Sequence, residues 1–360
     1  MALSGVYKLF DQENDVVKNI KATISSGVWS GGSGTLTTFF SQSAQSSSTG
    51  NYYYDVYKTS PATDTEAEVQ FSVAYGHIHG SGSKGTVGAA TGNRASAAIH
   101  AQITNLVLPP NTDRFTYAGS VTSKHFYAVS IKRARMREKI DPGNWELHLS
   151  ASVAAQAGAK HSATNRQLKL IDDSDSTTNP ESGIGGRVFN IVSGSISTGT
   201  ADINTAAASE ALGGIGLFYP DLGLFIFNAS VIEKKLNPAE LADMFTVETG
   251  SNVHNTNAEK FFDEIVNGAY FQARREEKLS STHFFCRAGN KEFNFSNNPT
   301  FFTASTGDFV QPTFFKDPKT FITTVGMFNN SNELLAVAKL SQPVLKSFSR
   351  EALIKVKLDF

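Results

Sequence analysis

Apolar and polar residues alternate with a period of two along much of this chain, the signature of strands with one wet and one dry face. In "AEVQFSVAY", Val69, Phe71, Val73 and Tyr75 fall on one side and Gln70, Ser72 and Ala74 on the other. "NWELHLSAS" sets Trp145, Leu147 and Leu149 against Glu146, His148 and Ser150, and Asp141-Pro142-Gly143-Asn144 before it reads as a turn. "NYYYDVYKT", "RQLKLID" and "GRVFNIVSGS" continue the strand pattern, and "LVLPPNTDRFTYAGS" reads as strand, turn, strand. "TFITTVGMFNNSNELLAVAKL" predicts a hairpin around Asn329-Asn330-Ser331-Asn332. In the final "LIKVKLDF", Ile354, Val356, Leu358 and Phe360 alternate with Lys355, Lys357 and Asp359, so this stretch is expected to be tied into a sheet or an interface.

"GIGLFYPDLGLFIFNAS" (Gly214–Ser230) is the most apolar stretch. A membrane helix needs about 20 consecutive apolar residues, and Pro220 and Asp221 interrupt this run at its middle. Pro220-Asp221-Leu222-Gly223 is turn chemistry. Ile215–Tyr219 and Leu224–Asn228 therefore become hairpin arms, apolar on both faces, that must be buried in a sandwich core or against another subunit.

Two segments carry helix signals. "LNPAELADMF" has Asn237 as N-cap, Pro238 at the first helical position and Glu240 two residues on. "NTNAEKFFDEIVNGAYF" places Phe261, Phe262, Ile265 and Val266 on one face, with Gly268 as a stop. The expected fold is mainly β: antiparallel sandwich or barrel-like modules with a small helical insert. Composition divides the chain into an extended N-terminal arm at 1–50, a β-rich domain at 51–232, the helical insert at 233–280 and a C-terminal β domain at 281–360. The arm is rich in Gly and Ser, and it either drapes over a neighbouring subunit or serves as a linker. No repeat of fixed period occurs.

Charged residues make up only 18% of the 360 positions, against about 25% in ordinary domains. Ser, Thr, Asn and Gly fill the difference, and Phe is abundant at 27 residues. Uncharged polar surface with many aromatics suits a subunit that packs against other protein. The net charge of -1 supplies no global field for nucleic acid. One cysteine, Cys286, precludes an internal disulfide and a cysteine-based zinc site, and between aromatics in "HFFCRAG" it reads as a small buried hydrophobe. "MALSGVYKLFDQEND" shows no basic and apolar regions of a signal peptide, so none is expected.

The candidate chemistry is thin. His77 and His79 in "GHIHGSGSKGT" have the i, i+2 spacing of metal ligands on a strand, with His100 as a possible third, yet the ligand count of a metal site is unmet and exposed turn histidines are the plainer reading. Gly80, Gly82 and Gly85 surround Lys84, but the lysine precedes its glycine, so the phosphate-loop pattern fails. "IKRARMREK" puts five basic residues between Lys132 and Lys139. They either grip nucleic acid or pair with acidic residues of a partner subunit, the second being favoured. Asp172, Asp173 and Asp175 lack the glycine and glutamate register of a calcium loop and read as a solvated acidic loop. No nucleophile elbow or H-E-x-x-H motif occurs, and His283 and Cys286 are expected on opposite strand faces. The chain is therefore not expected to be an enzyme, nor to carry a cofactor.

Phrases scattered over most of the chain resemble a known class. "NKEFNFSNNPTF" (Asn290–Phe301) and "FITTVGMFNNSNELLAVAKLSQPVLKSFSREALIKVKLDF" (Phe321–Phe360) resemble virion structural proteins of T4-like myophages that infect marine cyanobacteria; "SSGVWSGG", "GNYYYDVYKT" and "DPGNWELHLS" are similar to them in the N-terminal half. The resemblance implies a contractile-tail component in the virion, assembled in the host cytoplasm: a baseplate or fibre-adaptor subunit, or alternatively a neck (head–tail connector) component. Its partners would be copies of itself and other virion proteins of tail, baseplate or neck, with no membrane and no expected role for nucleic acid. Trp29, Phe39, Phe40, Tyr52, Tyr53 and Tyr54 are the candidate interface anchors, and Ile354, Val356, Leu358 and Phe360 the candidates for strand addition or core closure. For each, an ordinary place in the chain's own core is the competing reading. A glycan-binding or glycan-degrading tail module, which would need two carboxylates flanking a groove, is the alternative of a different class.

Overall fold

The computed structural model describes residues 7–41, 53–82, 95–150, 167–176, 181–197, 199–202, 213–236, 257–303 and 305–359. Strands make up 49% of the structure and helices 16%, so the fold is mainly β, far above the ordinary strand share of about a quarter. In chain order the elements begin with β1 (Val16–Gly27), β2 (Thr35–Leu36), β3 (Phe40–Ser41), β4 (Tyr53–Tyr57), β5 (Val69–His77) and α1 (Ala95–Val107). Next come β6 (Thr116–Tyr117), β7 (Val121–Thr122), β8 (His125–Ile131), α2 (Arg133–Met136), β9 (Lys139–Ser150) and β10 (Gln167–Asp172). Then follow β11 (Glu181–Gly183), β12 (Gly186–Ser195), β13 (Gly199–Asp202), β14 (Gly216–Tyr219), β15 (Leu224–Asn228), α3 (Ala229–Leu236) and α4 (Asn257–Gly268). The chain finishes with β16 (Phe271–Ala288), β17 (Thr320–Phe328), β18 (Leu334–Lys346) and β19 (Ala352–Asp359).

Two compact units divide these elements, one of residues 24–277 and one that combines 1–23 with 278–360. This division differs from the one composition suggests. The stretch expected as an arm carries β1 to β3, and Trp29 within it is wholly buried. The indole lies between Phe71 and Phe271, and its Nε1 donates to the Phe271 carbonyl at 2.9 Å. Gly and Ser loosen such a segment only where no aromatic side chain anchors it.

In the larger unit the strands run in the order β16-β9-β10-β12-β14-β15-β8-β5-β4-β3, with every pairing antiparallel. β5 and β16 are far apart in this order, yet Phe71 and Phe271 meet edge to face at 5.4 Å. The sheet therefore curls round one core. Trp145 sits at its centre, edge-on to Phe225 at 4.7 Å and 5.4 Å from Phe218. The arms of the apolar hairpin are β14 and β15, paired from Gly216 with Phe227 to Tyr219 with Leu224. All five residues of β15 are buried. Phe225 and Phe227 join the inner core. Leu224 and Ile226 join a second cluster on the other face, with Val107, Phe115, Tyr117, Phe126 and Tyr219. Gly223 takes φ 61° in the turn, a conformation that disfavours a side chain.

α4 carries the expected apolar face: Phe261 stacks on Tyr127 at 4.4 Å, and Phe262 stacks on Tyr54 at 5.6 Å. Gly268 ends it where a methyl group would run into the His148 carbonyl, so this glycine permits a close approach of helix and strand. The helix start expected at Asn237 lies outside the described residues.

Three other expectations are corrected. Residues Leu106 and Val107 do not open a strand; they close α1, whose buried stripe is Ser96, His100, Thr104 and Val107. That stripe is largely polar, so hydrophobic periodicity passes over it. Asp141–Asn144 form no hairpin turn. They bulge within β9, where Ile140 and Trp145 pair with Arg275 and Ala273; Gly143 has φ 78°, and its N–H is held by the Asp172 carboxylate at 2.9 Å. Asp172 and Asp173 are buried rather than solvated. Asp173 accepts from the backbone N–H and the side-chain amide of Asn190, at 2.9 and 2.8 Å. Backbone N–H groups with no ladder partner are what draw these carboxylates inward.

In the smaller unit, residues Ser281–Ala288 of β16 pair with β19 from Ala352 to Asp359. The terminal alternation holds in this ladder, with Ala352 and Val356 buried, Ile354 and Leu358 half-buried, and the intervening residues exposed. β17 and β18 form a two-stranded sheet of their own.

Phe225→Ala empties the site where Trp145, Phe218, Phe227 and Phe271 converge. We expect it to cost about 3–5 kcal/mol in equilibrium urea unfolding; a loss below about 1 kcal/mol would contradict the packing described.

Candidate functional site

The most unusual surface is the β17–β18 ribbon. Its turn is built by Asn329, whose Oδ1 accepts the Ser331 and Glu333 N–H groups at 2.9 and 2.8 Å, with Asn332 in the left-handed region at φ 61°. The register sets Gly326 opposite Val337 and Phe328 opposite Leu334. Phe328, Leu334 and Val337 then share one face near the tip, where they are 59%, 54% and 57% exposed. Phe321 and Leu335 are also exposed. Among the described residues neither outer edge of the ribbon pairs with a further strand. Its strands carry two charges, Lys339 and Lys346, and Lys346 is buried. Natural edges are guarded by charge, proline or irregularity; here Lys339, Pro343 and the register shift between Ile322 and Thr324 are the guards. A ribbon of this kind gains little stability alone and offers apolar surface and free backbone groups to another chain.

Sequence reasoning missed the base of the ribbon. Lys346, paired with Thr320, is 0% exposed, and its Nζ donates to the Asn290 carbonyl at 3.0 Å, Asn294 Oδ1 at 3.0 Å and the Ser347 carbonyl at 3.1 Å. Burial lowers the pKa of its amine. A lysine on a strand reads as a solvated position, and no local pattern signals this exception.

The larger unit contains two buried polar clusters. At the end of β5, the His77 ring lies parallel to that of His125 on β8, centroids 5.8 Å apart. His77 Nδ1 accepts the N–H groups of His79 and Ser81 at 3.0 and 3.3 Å, and His125 Nε2 lies 2.8 Å from the Ser230 hydroxyl. His100 reaches the same region from α1 and packs on Phe126 at 5.3 Å, its Nε2 buried without a hydrogen-bond partner. Burial above all, with neighbouring histidines and cations adding to it, pushes His77 down to about 4 and His125 to about 3. Burial likewise pushes His100 to about 4. Among the described residues no three of His, Cys, Asp or Glu converge as metal ligands. The turn after β5 is closed on His77 Nδ1 by backbone N–H groups, and against the expectation of exposed turn histidines His77 is buried, while His79 is exposed.

Beneath α3 and α4, Glu233 and Glu264 are wholly buried. Glu233 accepts the Tyr127 hydroxyl at 2.9 Å and pairs with Lys260 at 3.1 Å. Burial first, and the charge of Glu233 second, hold Glu264 well above the usual carboxylate range, with a hydrogen bond between the two side chains adding to the effect. Two carboxyls in hydrogen-bond contact are closer than the ~5 Å that glycoside hydrolysis requires between its pair.

Four of the five basic residues of the Lys132–Lys139 segment find partners for their side chains within their own chain. Arg135 pairs with Glu68, Arg137 with Glu277 and Lys139 with Glu276, and Arg133 donates to the Asp221 carbonyl. The acidic partners expected on another subunit are thus found at home. Of the candidate anchors, Trp29, Phe39, Tyr54 and Val356 are buried inside this chain, Phe40 and Tyr53 are exposed, Ile354 and Leu358 are half-buried, and Tyr52 and Phe360 lie outside the described residues. Cys286 is half-buried, and burial raises the pKa of its thiol.

The two clusters have opposite pH signatures. Histidines that titrate near 6.5 when unfolded and near 3 to 4 when folded contribute stability above pH 6.5 that is lost as pH falls towards 4. His125→Gln should flatten that part of the pH dependence in denaturant unfolding; an unchanged slope would mean that this ring is charged in the fold. Glu264 is stabilising when neutral, and its contribution fades as pH rises above its ordinary value of 4.5. Glu264→Gln, which fixes the neutral state, should gain on the order of 1 kcal/mol at pH 8 and nothing at pH 4. The same series of unfolding curves checks both.

No protein-family model, no curated protein and no solved structure matches this chain.

Proposed function

We propose that this chain is a structural subunit of a contractile phage tail, of baseplate or fibre-adaptor type, that keeps its place by packing against other protein chains. The observation that carries the reading is the β17–β18 ribbon, which bears exposed apolar side chains on a sheet without further partners among the described residues. Apolar surface at a ribbon tip contributes to free energy only once another surface covers it. The phage setting rests on the resemblance of residues Asn290–Phe301 and Phe321–Phe360 to virion proteins. Three of the five cations of the basic segment, Arg135, Arg137 and Lys139, are already engaged by carboxylates of this chain, which weakens a nucleic-acid reading.

The test is association. The purified chain should self-associate, or bind tail components, in light scattering over a concentration series. Replacing Phe328, Leu334 and Val337 together by serine should abolish that association and leave the circular dichroism spectrum unchanged. A monodisperse monomer that ignores the triple substitution and turns over a small molecule would overturn the reading.

A further inference from the structure

A histidine closes the turn that seats α1, and it does so through a lone pair. His77 Nδ1 accepts the backbone N–H groups of His79 at 3.0 Å and Ser81 at 3.3 Å. Both contacts need an unprotonated Nδ1, because a ring N–H donates and cannot accept. The turn is shaped for what docks on it. Gly80 and Gly82 take φ 78° and 71°, and a methyl group on Gly82 would run into the side chains of Asn257 and Tyr75. The Ser81 carbonyl accepts the Ser96 hydroxyl of α1 at 3.0 Å, and the Gly82 carbonyl accepts the side-chain amide of Asn257, the first residue of α4, also at 3.0 Å. His100, one turn along α1 from Ser96, is buried on Phe126 with no hydrogen-bond partner for its Nε2. The fields of His79 on the turn, His100 on α1 and Lys124 before β8 oppose a charge on His77, and the ring of His125 on β8 lies parallel to it at 5.8 Å. On α3, the Ser230 hydroxyl meets His125, and Glu233 is committed to Lys260 and Tyr127. Around His100, Asp113 favours the charged ring, while Arg114 and His79 oppose it. On α4, Glu264 responds the other way: burial favours its neutral form, so acid strengthens its seat.

We propose that this turn is an acid-operated latch: protonation of His77 and His100 frees the turn and α1 from the sheet while α4 keeps its place, and so uncovers part of the apolar cluster that contains Phe126 and Ile226. A proton on Nδ1 sets an N–H against two other N–H groups, so the closed turn cannot hold it. A charged His100 would carry its Nε2 proton into an apolar setting without an acceptor. The direction follows from linkage. His77 titrates near its ordinary 6.5 when the turn is open and near 4 when it is closed, so the closed state holds its full advantage above pH 6.5 and loses it as pH falls towards 4. One group of this kind raises the opening constant about thirtyfold at about pH 5. The event is local, because the core around Trp145 contains none of these histidines.

Amide hydrogen–deuterium exchange of the full chain at about pH 7.5 and about pH 5, each corrected for the intrinsic exchange rate, decides the matter. In the wild type, protection of residues 77–82 and of α1 should fall by about tenfold or more at the lower pH. Over the same range β9, β15 and α4 should keep their protection, and the near-ultraviolet circular dichroism of the buried Trp29 and Trp145 should stay native. His77→Asn puts a side-chain oxygen in place of Nδ1, an acceptor that takes up no proton in this range, and should hold the turn's protection at about pH 5 to within about threefold of its value at about pH 7.5. A smaller fall in the wild type overturns the proposal, and so does a fall shared by α4, β9 or β15. A loss of protection at 77–82 in His77→Asn as large as in the wild type overturns the role of His77.

Discussion

The larger unit depends on strands that meet water on neither face. β15 is buried at every position, and β8 beside it places Tyr127, Val129 and Ile131 in one core and Phe126 and Ala128 in another. Burial of such side chains on both faces is the main favourable term available to the fold. It requires two covers. One is the sheet's own curl, which brings Phe71, Phe225 and Phe271 together. The other includes α1 and the segment after it, which contribute Val107, Phe115 and Tyr117. The abundance of phenylalanine follows from this demand, since flat rings fill the space between curved layers in edge-to-face and stacked pairs.

The strand content was legible because period-two alternation needs no tertiary context. "AEVQFSVAY", "NWELHLS" and the terminal "LIKVKLD" all became strands, but the face read as polar is not wet throughout: Gln70 and Glu146 are buried. The hairpin around Pro220–Gly223 was legible for a second reason: turn chemistry divided an apolar run too short for a membrane. α1 was not legible, because its buried positions include Ser96, His100 and Thr104. A helix whose inner face is polar leaves no apolar stripe to count. The bulge at Asp141–Asn144 contains turn residues that serve a different purpose, since Gly143 donates its N–H to a buried aspartate 29 positions away.

The surfaces were less legible than the fold. An aromatic residue in a sequence declares that it will be covered, not by which chain. Trp29 and Tyr54 are covered internally, whereas Phe328 and Leu334 remain exposed, although all four read alike as apolar. Lys346 shows the reverse case: a charge that reads as solvated is the most enclosed residue of its strand. Both outcomes depend on contacts between distant segments, and these lie beyond any local pattern.

The layout of the two units has a consequence for biosynthesis. Residues 24–277 form a unit from one unbroken stretch, whereas the other unit combines 1–23 with 278–360. A nascent chain emerges from the ribosome amino end first, and domains tend to fold as they are completed. The unbroken stretch can thus reach its native state during translation, while the first 23 residues wait for complements that have yet to be translated. The smaller unit, ribbon included, is accordingly finished after residues 24–277, so its exposed apolar tip arises beside a larger unit that has already had time to fold.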